Sequence, residues 1–225
     1  MTRPEVIEGY ATGAWSSNTY IVASRKGETA VIVDAGQDAA PLLAERLEAN
    51  GLKAEALLVT HGHIDHVWSV AEVCAQQGIH AYMHPDDTWL IEDPAAALGA
   101  GGRSFPFDAP EDLKPLADGQ RLRFAGLDIE VFHTPGHTPG SVVFITNGIV
   151  FSGDLIFQGS IGRTDFPRGS LEDLMDSIRR VILPLDDEVT ILSGHGAETS
   201  VGAERRTNPF VVADARGELP RLLGL

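Results

Sequence analysis

The stretch THGHIDH, residues 60–66, sets three imidazoles and a carboxylate at His61, His63, Asp65 and His66 in a chain of 225 residues with only eight histidines. Imidazole nitrogens and carboxylate oxygens are the protein ligands of zinc and related divalent ions. His61 and His63 are two apart, so on extended backbone they project to one side. Asp65 and His66 follow where the chain turns toward a helical pattern, and they can face elsewhere. One short segment can thereby serve two neighbouring metals. The spacing H-x-H-x-D-H arises in roughly one random chain in a thousand of this length and composition.

Other ligands must come from strand ends that return to the same place. His137 lies in HTPGHTPGS, a turn stiffened by proline and glycine; Asp154 ends GIVFSGD; His195 belongs to the end of EVTILSGHG. Each marks a point where a strand gives way to a loop, where sites on rigid scaffolds are built. His80, His84 and His133 stand outside these stretches and read as structural or surface residues. No G-x-S-x-G occurs, and Cys74, in VAEVCAQQG, reads as helix packing, so no covalent nucleophile is evident. The chemistry expected is metal-assisted. Two cations about 3.5–4 Å apart lower the pKa of a shared water and polarise a carbonyl.

The elements that must position these residues alternate short apolar runs with helical patterns. TYIVAS and TAVIVDAG read as strands joined at RKGE, AEALLVT as a buried strand running into the histidine cluster, and HAYMHP as a short strand. AAPLLAERLEANG and VWSVAEVCAQQG read as helices, each ended by glycine. Residues 85–118 read as a loop with a helical turn. QRLRFAG, LDIEVFHT, SVVFIT and GIVFSGD form a meander; SLEDLMDSIRRVILPL is a helix capped by Ser170 with Glu172 and Asp173 in its first turn; EVTILSGHG is a last strand. No repeat, low-complexity tract or linker divides residues 1–225, which read as a single domain. Two clusters of strands, each with helices, predict an α/β (α+β) architecture of two sheets face to face with helices outside.

The formal net charge of −15 argues against a nucleic-acid partner, since phosphate binding needs a basic footprint. One cysteine allows no intrachain disulfide. The first residues lack the apolar core of a signal peptide and no run reaches transmembrane length, so the chain reads as cytoplasmic with no membrane partner.

Taken together, THGHIDH, HTPGHTPGS, FSGDLIFQGSIGRTD and LSGHG resemble the metallo-β-lactamase superfamily, and more narrowly its short bacterial glyoxalase-II-like hydrolases. The tail GAERRTNPF is similar to that subfamily too. The resemblance runs from about residue 18 to 210. It implies a four-layer αβ/βα sandwich with metals in a cleft at one edge. Carried over residue by residue, it implies that His61, His63 and His137 hold one metal, that Asp65, His66 and His195 hold a second, and that Asp154 bridges them. Zinc is the first expectation, with iron or manganese as alternatives. The resemblance also suggests that Asp34, at the end of AVIVD, orients a ligand loop; the rival reading is a plain turn residue. Asp165 is expected to tie its loop and Arg163 to face substrate. Arg205, Arg206 and Asn208 either bind an anionic thiol carrier or anchor the C-terminal segment. Trp15, Trp68 and Trp89 read as packing.

The activity implied is hydrolysis of a thioester of the S-lactoylglutathione type, with Asp65 and Asp154 in catalytic roles. Longer glyoxalase II enzymes carry a C-terminal helical domain that helps grip glutathione, whereas only 30 residues follow His195. The safer expectation is therefore a glyoxalase-II-like thioesterase acting on a small-molecule thioester. The main alternative on the same fold is a persulfide dioxygenase with one iron held by His61, His137 and Asp154. A β-lactamase would carry an export signal, and the nuclease branch an added domain.

Overall fold

A computed structural model describes residues 3–98 and 107–222. The first sheet has the order β1 (Val6–Thr12), β2 (Ser17–Ala23), β3 (Thr29–Val33), β4 (Lys53–Leu58), β5 (His80–Met83), β6 (Lys114–Pro115). Its first three strands are antiparallel, and β3 to β6 run parallel. The parallel crossovers carry α1 (Ala39–Ala49), and then α2 (Ile64–Val67) with α3 (Val70–Gln77). After β5 come a 3-10 turn (Pro85–Asp87), α4 (Thr88–Glu92) and α5 (Ala95–Leu98).

The second sheet contains the meander β7 (Arg121–Phe124), β8 (Leu127–His133), β9 (Val142–Thr146), β10 (Ile149–Gly153). A small hairpin, β11 (Ile156–Phe157) and β12 (Ser160–Ile161), follows. Next is α6 (Leu171–Ser177), running on into a π turn (Ile178–Ile182). Then β13 (Thr190–Ser193) joins the sheet parallel to β10, and β14 (Thr199–Ser200) closes its edge. The chain ends in α7 (Val201–Thr207), α8 (Pro209–Ala215) and α9 (Leu219–Leu222).

Period-2 alternation sorts the central strands between two cores. In β3, Val31 and Val33 face the second sheet, while Ala30 and Ile32 face α1 and α3. In the partner sheet, Phe144 points inward and Val143 outward onto α6. Both faces are buried, so the strands read as continuous apolar runs. Three cores separate four layers: helices, sheet, sheet, helices. Phe144 is fully buried between the sheets. Deleting such an aromatic costs about 3–5 kcal/mol, so the spacing between the layers is strongly held.

The structure departs from the sequence reading in places. VWSVAEVCAQQG is not one helix: it breaks at Trp68 and Ser69, and helical backbone begins earlier, at Ile64. Residues 85–118 hold more order than a loop with one turn; residues 99–106 of that stretch lie outside the described residues. The strand β1 and the helices after His195 carried no sequence expectation. Among the described residues, no helix is long and apolar enough to cross a membrane.

Candidate metal centre

Strand ends from both sheets meet at one edge of the sandwich. β3 delivers Asp34, β4 delivers Thr60 and His61, β10 delivers Asp154, β13 delivers His195, and the β8–β9 loop delivers His137. The seven proposed ligands converge there. His63 Nδ1 lies 2.8 Å from His137 Nε2, and the His61 ring lies 4.9 and 4.8 Å from those of His63 and His137. Beside them, His66 Nε2 is 3.3 Å from His195 Nε2, and Asp65 Oδ2 is 3.1 Å from the same His195 atom. Asp154 reaches both groups: Oδ1 is 3.5 Å from His66 Nε2, and Oδ2 is 3.5 Å from His137 Nε2.

Outer hydrogen bonds fix which nitrogen faces inward. Asp34 is buried, with a left-handed φ of 56° that an aspartate tolerates. Its carboxylate accepts from the Thr60 amide and hydroxyl, both at 2.7 Å, and from His66 Nδ1–H at 2.9 Å. The Thr60 hydroxyl proton is spent on Asp34, so its oxygen accepts from His61 Nδ1–H at 3.0 Å. His137 Nδ1–H donates to the Arg163 carbonyl at 2.7 Å. In each case Nε2 faces the centre, the arrangement that orients imidazoles on metals.

The two groups carry different charge. Burial, and then the crowding of neighbouring imidazoles, holds His61 and His63 well below the usual histidine range. Burial also works against charge on His66, but the carboxylates of Asp65, Asp154 and Asp34 outweigh it and push that imidazole up to about 10. His195 is raised likewise, against its own burial, by the Asp65 hydrogen bond and by Asp154. Asp65 is held below the carboxylate range: its burial is overcome by His66 and His195. Among the described residues four buried side-chain atoms have no hydrogen-bond partner: the donors Arg46 Nε and Trp89 Nε1, and His61 Nε2 and Asp154 Oδ1. An orphaned lone pair in a buried site is costly unless something electropositive answers it. His61 Nε2 and Asp154 Oδ1 lie in the convergent set, so its lone pairs fit divalent cations. His84, Asp86 and His133 also cluster. There the rings stack parallel, 4.2 Å apart and 6° from coplanar orientation, so their in-plane lone pairs cannot meet on one ion.

A cleft of about 530 Å³ opens over the centre; its walls include Trp15, Ile64, Phe157, Ile161, Arg163 and Phe166. Trp15 therefore lines the cleft, which corrects the reading of it as packing alone. The Arg163 guanidinium is bound through both nitrogens to Asp165, at 2.7 Å each, and lies 3.9 Å over the Phe166 ring. Arg163 thus combines a loop tie with a place on the wall, and Asp165 serves the loop.

Arg205, Arg206 and Asn208 are not among the residues lining the cleft, and of their two readings their contacts match the anchor. Arg205 donates to the carbonyls of Leu183 and Leu185, and Arg206 pairs with Asp187 at 2.8 Å. Asn208 caps α8 through Oδ1 and donates from Nδ2 to the Ser160 carbonyl at 2.9 Å. Beside it, buried Glu204 accepts from the Gly159 amide at 2.8 Å, the Thr199 hydroxyl at 2.6 Å and Asn208 Nδ2 at 2.8 Å. The tail anchors the β11–β12 hairpin, which brings Phe157 and Ile161 to the wall. Sequence reasoning missed Thr60, Glu204 and Asp87. The Asn-Pro pair at 208–209, a cap followed by proline at the first helical position, was a readable signal for that anchor.

The family model described as the metallo-beta-lactamase superfamily matches residues 12–195. A hydroxyacylglutathione hydrolase, GloC of Haemophilus influenzae, is 40% identical over 188 residues, 82% of this chain and 88% of that one. Among solved structures, the BLEG-1 B3 metallo-beta-lactamase is 36% identical with a TM-score of 0.85, covering 92% of this chain and 99% of that one. TTHA1623, solved in a di-iron-bound form, is 37% identical with a TM-score of 0.78, covering 90% and 99%. With its four layers and convergent strand ends, the chain belongs to the metallo-beta-lactamase superfamily.

Proposed function

We propose that this protein is a metal-dependent hydrolase that cleaves a thioester, in the manner of a hydroxyacylglutathione hydrolase. The observation that carries the reading is Asp154: one carboxylate on the cleft within reach of two ligand groups, with a buried oxygen that accepts no hydrogen bond. The name of the Haemophilus relative supports the substrate class, and the di-iron neighbour supports two ions. Zinc is the first candidate, with iron or manganese as alternatives.

Two divalent cations held by His61, His63, His137 and by Asp65, His66, His195, with Asp154 between them, would activate water and polarise the carbonyl. The chain's own groups do the rest. Asp34, Thr60 and the Arg163 carbonyl keep imidazole protons on the outer nitrogens. Asp65 and Asp154, both on the cleft, offer carboxylate oxygens that orient an incoming water. Trp15, Ile64, Phe157, Ile161 and Phe166 give the substrate an apolar wall. In the reaction a water oxygen bonds to the carbonyl carbon, the C–S bond breaks, and a water proton leaves with the thiol.

The test measures metal content and S-lactoylglutathione hydrolysis on one sample, anaerobically, with a β-lactam as a parallel substrate. Two metals per chain and thioester cleavage are expected. A fully metal-loaded chain that leaves the thioester intact overturns the reading. One iron per chain, with dioxygen uptake on glutathione persulfide in a second assay run in air, assigns the dioxygenase instead.

A further inference from the structure

Asp87 belongs to neither ligand group, yet its carboxylate is fully buried between the two loops that carry His61, His63 and His137. It ends the 3-10 turn after β5. Oδ2 accepts from the Gly62 amide at 2.8 Å and from the Thr138 hydroxyl at 2.7 Å, and Oδ1 accepts from the Gly140 amide at 2.7 Å. Gly62 lies between His61 and His63, and Thr138 directly follows His137. One carboxylate therefore fastens the two backbones from which all three imidazoles hang.

The fit leaves no room for side chains. A Cβ on Gly62 would lie 3.0 Å from the Asp87 Cβ and carbonyl oxygen, and one on Gly140 would lie 2.6 Å from its Cγ. Two glycines that no ligand role explains are thus accounted for by close approach to this carboxylate. Burial pushes the Asp87 carboxyl up from its usual range, and the three short hydrogen bonds from Thr138, Gly62 and Gly140 work against that cost. The result is a rigid tie placed where rigidity matters for the metal.

We infer that Asp87 is a positioning residue that sets the spacing of His61, His63 and His137, and so that group's hold on its metal, without touching metal or substrate. The inference rests on the two-metal reading above. His66 has its own support in Asp34, so loss of Asp87 falls on one metal of the two.

To test this, the chain is stripped of metal and titrated with Zn(II) against a chromophoric chelator, while unfolding of the metal-free protein is followed in parallel. Asp87→Asn keeps the shape but turns an amide N–H toward a donor. One zinc equivalent is expected to weaken by about ten- to a hundredfold while the other holds. Thr138→Val, which removes one of the three bonds, weakens the same equivalent less, and Thr138→Ser restores it. Two outcomes overturn the role: both equivalents at wild-type affinity, or both weakened alike in step with a lower Tm of the metal-free protein. Should Asp87→Asn not fold, Thr138→Val decides, and wild-type affinity at both equivalents overturns the role. A wild-type chain that takes up no zinc defeats the hydrolase reading and the positioning role with it.

Discussion

The two ligand groups differ in build and in charge. His61, His63 and His137 are buried almost completely, and the low proton affinity of His61 and His63 leaves neutral lone pairs there. The other group is more open, with the His195 side chain 29% exposed, and its carboxylates push the proton affinity of His66 and of His195 up. A cation entering the first socket meets two imidazoles, His61 and His63, whose hold on protons is weak. One entering the second must displace the proton that His66 holds, so its binding carries the steeper pH dependence. The difference teaches that one centre can combine a dry, neutral holder with a charged, accessible working face.

The largest way to break that contrast is Asp154→Ala. Its carboxylate touches both groups, so metal at both and turnover should fall together, on the order of a thousandfold or more for the rate. Wild-type rates in this variant would refute the bridging role. His63→Ala sharpens the contrast instead. It should abolish thioester turnover while metal content drops toward one equivalent. Under the single-iron alternative, His63→Ala would damage activity less than His61→Ala, so paired assays of the two variants discriminate.

The smallest effect is on stability. In metal-free protein the His66 pKa stands at about 10 against 6.5 for a free histidine. A folded-state pKa above the unfolded one stabilises the protonated fold; that contribution is whole below the unfolded value and is lost as pH rises through the folded one. The Tm of chelator-treated protein should therefore decline from neutral pH toward about 10. Metal-loaded protein, in which cations replace those protons, should decline less. Parallel curves would remove the proposed difference in charge.

Much of the centre was legible because its signals are local. THGHIDH packs four donors into six residues, and His137, Asp154 and His195 each follow an apolar run that reads as a strand. The double-faced burial of β3 and β9 likewise shows as near-continuous apolar sequence, hence the two-sheet expectation. Asp87 was not legible. In HPDDTWL nothing distinguishes it from exposed Asp86, and its partners are 25, 51 and 53 positions away. The basic pair in ERRTNPF suggested anion binding because charge alone does not say which way a side chain points. Asp187 and the carbonyls of Leu183 and Leu185 absorb that charge instead. The strand β1 escaped notice because VIEGYAT mixes glycine and polar residues on a partly open edge.

Glu204 and Asn208 grip the β11–β12 hairpin from behind. The last stretch of the chain is thus a lever on selectivity. Amino-acid changes there can reshape the mouth without disturbing a single ion-holding side chain, so diverging tails would give relatives different appetites over one shared catalytic floor.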